Sequence, residues 1–332
     1  MSTPEFACPL CQGRLDKNAK GLKCGACDRV YPEVYGGFDL RGDAGDANKE
    51  NQAEIYNGMM GALSDFSHPH NLGLRHQKGL LDDLPLSKGQ PVLEIGGHRS
   101  GVLPYLEKTR AIQGRGLDIS PAWVQEQNRM AALRGGHTQW VMGDAERLPF
   151  PDNQFQAVIS FDVFEHLSDI KAAVFECARV LAPGGRLVCH MPVQDVGWSL
   201  DGLQQRFIGD DWRSRQESVG HFHETMLTAK MATELFEEAG LRVKLHERFN
   251  VWVQPVHDHK WMVWLGKRKH GGKGAQERTA SPSTSQGPEA SRFQRFYARA
   301  VIPIAAVLAT PDRIGQKLGV GGSACWVLEK NG

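Results

Sequence analysis

Val92-Leu93-Glu94-Ile95-Gly96-Gly97-His98-Arg99-Ser100-Gly101 is an apolar run that breaks into a glycine-rich turn. Such a break suits a strand end where the backbone must come close to a ligand, with helix amides beyond it. Asp118, in Gly-Leu-Asp-Ile-Ser, follows at the separation where a carboxylate can take a ribose diol. Asp144, in Gly-Asp-Ala-Glu, ends the next apolar stretch, where an adenine amino group could be read. Each acid has a plainer role in competition. Asp118 could cap the following helix, although Ser120-Pro121 already reads as a helix start and favours the ribose role. Asp144 could be a solvated turn residue, although Gly143 and Ala145 leave room for a ring.

Working outward, short apolar strands alternate with helical patterns over 91–96, 111–120, 138–145, 155–162, 185–192 and 241–249. That rhythm predicts an α/β fold, a doubly wound sheet with helices on both faces. Together with FQAVISFDVFEHL and VLAPGGRLVCHMP, these strings resemble the class I S-adenosylmethionine-dependent methyltransferases of the methyltransferase type 11 kind, over about Pro91 to Phe249. The resemblance implies a mostly parallel seven-stranded sheet, the Rossmann-like methyltransferase fold, whose reversed last strand would be 323–332.

The resemblance also implies roles. Gly96, Gly97 and Gly101 would wrap the amino-acid end of the cofactor, with Glu94 accepting from its ammonium. Asp118, beside Ile119, would hold the ribose. Asp144 would accept from the adenine amino group while Ala145 offers its backbone. Tyr56, on a helical segment expected over 53–84, would approach the methionine part, or would simply be a half-buried aromatic. The turn departs from the family's acid-x-Gly-x-Gly-x-Gly: it is one residue longer, with His98 and Arg99 where small residues are expected.

Phe161, Asp162, Glu165 and His166 follow the fourth core strand, at the edge where open α/β sheets bind ligands. The Pro-Pro-aromatic string of base-modifying amino-methyltransferases is absent there, which argues against adenine and cytosine amino groups as targets. His166 reads first as a positional element beside the sulfonium and second as a general base. His221 and His223 lie in the long segment after the fifth strand, expected over the methyl donor. One of them could deprotonate a hydroxyl acceptor, or they could cap a helix expected over 224–239. Asp195, Asp210 and Asp211 keep a metal in that segment open.

Cys8-Pro9-Leu10-Cys11, twelve residues, then Cys24-Gly25-Ala26-Cys27 form two thiol pairs with the spacing of one closed, structural Zn²⁺ site. With the following YPEVYGGFDLR, the segment resembles small zinc ribbons that precede, or act in trans on, certain RNA methyltransferases. The other three of the seven cysteines, Cys177, Cys189 and Cys325, lie in apolar segments and read as small core residues.

The expected organisation is a ribbon over 1–40, a linker and helical cap over 41–90, a core over 91–253 and an insertion over 254–322. The insertion includes a Gly/Ser/Pro-rich, disordered loop at about 266–292. With 39 Lys plus Arg against 38 Asp plus Glu, the net charge of +1 gives no global field for nucleic acid or acidic lipid. The N-terminus lacks a signal-peptide pattern, so a cytoplasmic location is expected. The stretches 251–269 and 293–318 combine tryptophans, Lys/Arg and short apolar runs. They could touch a membrane peripherally or pack as helices over the cleft.

These features lead to methyl transfer onto a small-molecule or lipid- or sugar-linked acceptor, at oxygen. The ribbon supplies a rival reading, a ribosomal or transfer RNA methyltransferase. A third is a catalytically silent methyltransferase-like partner protein whose lengthened turn no longer holds cofactor. A dehydrogenase is disfavoured because no Gly-x-Gly-x-x-Gly stands at the first turn.

Overall fold

The computed structural model describes residues 5–42, 66–67, 69, 72–97, 101–207, 226–249, 251, 299 and 302–332. Near the N-terminus, β1 (Leu15–Asn18), β2 (Gly21–Cys24) and β3 (Val30–Tyr31) make a small antiparallel sheet, and β4 (Glu33–Val34) pairs with β5 (Gly37–Phe38). Helix α1 (Leu72–Asp82) leads to β6 (Pro91–Ile95), α2 (Val102–Arg110), β7 (Gln113–Asp118), α3 (Pro121–Leu133) and β8 (Gln139–Met142). Then come β9 (Phe155–Phe161), α4 (Ile170–Val180), β10 (Leu181–Pro192), α5 (Ala229–Glu238) and β11 (Leu241–Phe249). Helices α6 (Ile302–Leu308) and α7 (Thr310–Lys317) precede the closing strand β12 (Ser323–Lys330).

The central sheet has seven strands in the order β11-β12-β10-β9-β6-β7-β8. From β10 to β8 all pairings are parallel, while β12 runs antiparallel to both β10 and β11, as the reversed last strand requires. Alternating side chains serve two cores, as strand geometry dictates. On β6, Leu93 and Ile95 join a cluster with Val158, Leu187, Phe236 and Trp326, whereas Val92 joins Ile159, Val188 and the apolar faces of α1 and α2. Both faces of β6 and β9 are therefore dry, which explains their near-continuous apolar runs.

Several boundaries differ from expectation for local reasons. Strand β10 begins at Leu181, because the chain re-enters the sheet beside Phe155 and passes an irregularity, with Gly184 at φ 74°, before regular pairing resumes at Arg186. Helix α5 begins at Ala229 rather than 224: Thr228 Oγ1 accepts from the Met231 amide at 3.1 Å, and Asp195 Oδ1 accepts from the Ala229 amide at 2.8 Å. Of the expected 53–84 helical segment, the described residues show α1, and the loop expected at 266–292 lies outside them.

The ribbon does not stand apart from the core. Asp39 bridges Met142 in parallel, the Leu40 amide donates to the Met142 carbonyl at 2.7 Å, and Asn128 Nδ2 donates to Tyr35 O and Trp140 O at 2.9 Å. Leu22, Tyr31, Phe38 and Leu40 belong to the same buried cluster as Leu93 and Val158. The ribbon thus covers the exposed edge of β8, a location where an open strand would otherwise present unpaired amides and carbonyls.

Candidate active site

Strand order reverses between β6 and β9: the chain adds β7 and β8 on one side and β10 on the other. The crevice outside the carboxyl ends at such a switch point is where open α/β sheets bind ligands. The glycine turn leaves β6 there, and Phe161, Asp162 and a 3₁₀ turn (Phe164–His166) leave β9.

One indole shapes the turn. Trp140, fully buried on β8, lies where a Cβ on Gly97 would be 2.3 Å from its ring and a Cβ on Gly116 would be 2.0 Å from it. Gly96, at φ 76°, would push a Cβ to 2.2 Å from Val163 Cγ2. Gly96 is thus required by backbone conformation as well as by packing, and Gly97 by packing. Trp140 is a site-shaping residue that the sequence reading passed over. Nothing in its local string marks it, since the two positions whose Cβ it excludes stand elsewhere, Gly116 on β7 and Gly97 in the turn after β6.

Gly97 is held at both backbone groups, its amide donating to Asp118 Oδ2 at 2.8 Å and its carbonyl accepting from Gln127 Nε2 at 2.8 Å. The Ser120 amide donates to Asp118 Oδ1 at 2.8 Å, while the Ser120 hydroxyl caps α3 by accepting from the Trp123 amide at 3.3 Å. Capping therefore falls to Ser120, and Asp118 bridges the first turn to the second. Burial pushes the Asp118 carboxyl up to about 6, against the opposing pull of the Ser120 and Gly97 amides.

Glu94, 3% exposed, directs Oε2 at the Leu103 amide, 3.4 Å away, in the first turn of α2, whose N-cap is Gly101 with no side-chain cap. Asp144 is buried rather than solvated, and its Oδ1 accepts from the Glu146 amide at 2.9 Å, folding the turn after β8. Ala145 beside it is buried, while Ile119 and Phe161 are half-buried at the ends of β7 and β9. The structure brings Glu94, Gly96, Gly97, Asp118, Asp144 and Phe161 to one edge of the sheet.

Asp162 adopts φ 56°, a left-handed conformation uncommon for a residue with a side chain. From there Asp162 Oδ1 meets His190 Nδ1 at 2.6 Å, and its amide donates to the His190 carbonyl at 2.9 Å. His166 is mostly buried, with Nε2 3.9 Å from Glu165 Oε1. Burial, reinforced by the neighbouring Asp162 charge, raises the Glu165 carboxyl well above the usual carboxylate range. His190 was missed in the sequence because it reads as a strand residue inside VCHMP.

Tyr56, His98 to Ser100, His221 and His223 lie outside the described residues. The helix-capping role open to the two histidines is filled by Thr228 and Asp195. Asp195 also meets the buried Arg248 at 3.3 Å, so it serves a structural ion pair rather than the metal site once open to it; Asp210 and Asp211 are not described.

In the ribbon, the thiols of Cys8, Cys11, Cys24 and Cys27 lie within 4.8 Å of one another. Cys8 and Cys27 sulfurs are 3.7 Å apart and those of Cys11 and Cys24 3.5 Å. Sulfurs at about 2.3 Å from a tetrahedral zinc stand about 3.8 Å apart, so the four are arranged as a closed site would need. Burial opposes ionisation of Cys8, but the Tyr31 hydroxyl at 3.1 Å and the amides of Leu10 and Cys11 outweigh it and draw the thiol down to about 6.

Residues 93–189 match the family described as "Methyltransferase domain". The chain is 37% identical over 108 residues to demethylmenaquinone methyltransferase of Thermus thermophilus, covering 32% of this chain and 49% of that protein. It is 32% identical over 132 residues to ajmaline N-methyltransferase of Rauvolfia serpentina, covering 38% and 45%. Among the first curated relatives the match spans 33% to 62% of their length. The structure of geranyl diphosphate C-methyltransferase from Streptomyces coelicolor A3(2) superposes with a TM-score of 0.52 at 14% identity, covering 86% of this chain and 98% of that one. That likeness shows the fold.

Proposed function

We propose that this protein transfers a methyl group from S-adenosyl-L-methionine to a small-molecule or lipid- or sugar-linked acceptor, at an oxygen. The observation that carries the reading is the convergence of the Gly96-Gly97 turn, Asp118 and Asp144 on three adjacent strand ends of the matched domain. Asp118 tests the fit of the cofactor. Its oxygens face the Gly97, Ser120 and Ile119 amides, and a carboxylate offers about four acceptor positions, so capacity remains for a ribose hydroxyl.

When bound, S-adenosyl-L-methionine supplies an electrophilic methyl group on sulfur. The chain's own residues hold and orient. Gly96 and Gly97 admit the amino-acid end, Glu94 faces its ammonium, Asp118 with Ile119 takes the ribose, and Asp144 with Ala145 takes the adenine. Tyr56 and Gly101 would complete the methionine side. In-line placement carries most of the acceleration. A hydroxyl acceptor also needs a base, and His166, His221 and His223 are the candidates, joined by His190 on its Asp162 anchor.

The thiol geometry of Cys8, Cys11, Cys24 and Cys27 supports one structural zinc. The docking of the ribbon on β8 supports a stabilising role for it over RNA recognition. Ile304 and Val307 on α6, Ile314 on α7 and Leu318 just after it are 59% to 73% exposed, which supports peripheral contact with a membrane or an apolar acceptor. No described helix is long and apolar enough to cross a membrane.

Calorimetric titration with S-adenosylhomocysteine tests the cofactor half of the proposal, and transfer of labelled methyl from S-adenosylmethionine into an organic extract or an RNA fraction tests the acceptor half. Binding with label in the organic fraction is expected. Absence of binding would leave the silent-partner reading, and label in RNA would move the function to the ribbon-associated alternative.

A further inference from the structure

We propose a second metal site, distinct from the ribbon, in which His76, Glu247 and Cys325 hold a zinc-class divalent cation. These residues come from α1, β11 and β12 and are brought together only by the tertiary fold. Glu247 and Cys325 are direct partners across the antiparallel β11–β12 ladder, so their side chains project from the same face, and His76 descends onto them from α1.

The spacing is that of a coordination shell. His76 Nε2 lies 3.4 Å from Cys325 Sγ and 3.5 Å from Glu247 Oε2, and all three donor atoms fall within 4.8 Å of one another. For a tetrahedral zinc with bonds of about 2.0 Å to nitrogen, about 2.1 Å to oxygen and about 2.3 Å to sulfur, the nitrogen–sulfur edge is about 3.5 Å and the nitrogen–oxygen edge about 3.4 Å. Both observed separations match these edges. An imidazole, a thiolate and one carboxylate form a set that prefers zinc or cobalt to magnesium or calcium, which demand more oxygen ligands.

The surroundings suit entry and an open position. The Glu247 side chain is 44% exposed and His76 23%, while Cys325 is buried, so a cation can arrive from solvent at the carboxylate and settle against the sulfur. Three protein ligands leave one position for an exogenous oxygen, the arrangement of sites that act on a ligand rather than only brace a fold. On the next strand His190 is the direct partner of Cys325, and its ring and that of His76 both pack on Phe249, at 5.2 and 4.3 Å. Its Nε2 is buried with no hydrogen-bond partner among the described residues. A metal-bound water or hydroxyl would give such a nitrogen a partner. Through Asp162 this imidazole is tied to the end of β9, the strand beside β6 and its glycine turn.

Coordination replaces the Cys325 S–H by an S–metal bond and releases its proton to solvent. None of this depends on methyl transfer, and the test does not use it. Full-length protein produced with zinc and exchanged into chelator-free buffer is weighed by native mass spectrometry, with melting curves as a check on folding. We expect roughly two zinc ions per chain, one in each site. Glu247→Gln and His76→Ala should each lose one ion while keeping the ribbon's; Cys27→Ser should lose the ribbon's ion and keep this one. Glu247→Gln preserves shape and decides the matter if His76→Ala fails to fold. A wild-type chain whose entire zinc content disappears with Cys27→Ser, or a zinc count unchanged in Glu247→Gln, would overturn the proposal and leave a hydrogen-bonded polar cluster.

Discussion

Cofactor affinity should fall about tenfold between neutral pH and about pH 5, because one buried carboxyl must be ionised to take the ribose. Asp118 is 7% exposed, and burial lifts its carboxyl from 3.8 to about 6 in the free protein. If S-adenosylhomocysteine binds only the ionised form, the apparent dissociation constant rises by a factor of one plus the protonated-to-ionised ratio. That factor is about 11 at pH 5 and close to 1 at pH 8, a difference of about 1.4 kcal/mol. Stability moves in the opposite sense. A carboxyl raised in the folded state binds more protons there than in the unfolded chain, so the free protein gains stability as pH falls through the window between about 6 and 3.8. The gain is on the order of 3 kcal/mol. Calorimetric titrations across this range, in wild type and in Asp118→Asn, isolate the effect from other groups. Asp118→Asn should bind weakly with a flat profile, because it does not titrate and one of the Gly97 and Ser120 amides is left facing an amide NH₂. A wild-type affinity that is flat over the range, or the same slope in Asp118→Asn, would refute the ribose assignment.

Two further outcomes follow from the packing. Gly97→Ala should weaken cofactor binding and cost about 1–3 kcal/mol of stability through overpacking, since its Cβ would sit 2.3 Å from the Trp140 ring; unchanged melting and binding would show that the turn can shift freely. Cys27→Ser should remove the ribbon zinc and speed hydrogen exchange along β8, whose edge the Asp39–Leu40 backbone covers; zinc loss with β8 protection intact would mean that the ribbon docks without its metal.

Much of the candidate site was legible because the residues proposed for it are marked locally in sequence. Glu94, Gly96, Gly97, Asp118 and Asp144 each stand at the end of an apolar run, and the alternation of runs places all their strand ends on one edge. The clustering of the ribbon thiols was legible for the same reason, since two short pairs bring four sulfurs together almost without reference to the rest of the chain. What stayed hidden is what the sheet assembles across strands. Trp140 gains its role only because β7 and the turn after β6 lie beside it, and His190 only because the backbone at Asp162 turns left-handed and aims a carboxylate at it. Cys325 read as a core residue because its neighbours in sequence are apolar; across the ladder its neighbours are Glu247 and His190. The ribbon's docking was hidden too, since Asp39 and Leu40 carry no pattern that names Met142 as their partner. Binary pattern reports which face a side chain takes, while pairing register decides which side chains meet on that face. The residues that sequence reading missed therefore cluster on the strands β8, β10, β11 and β12, where register rather than motif brings chemistry together.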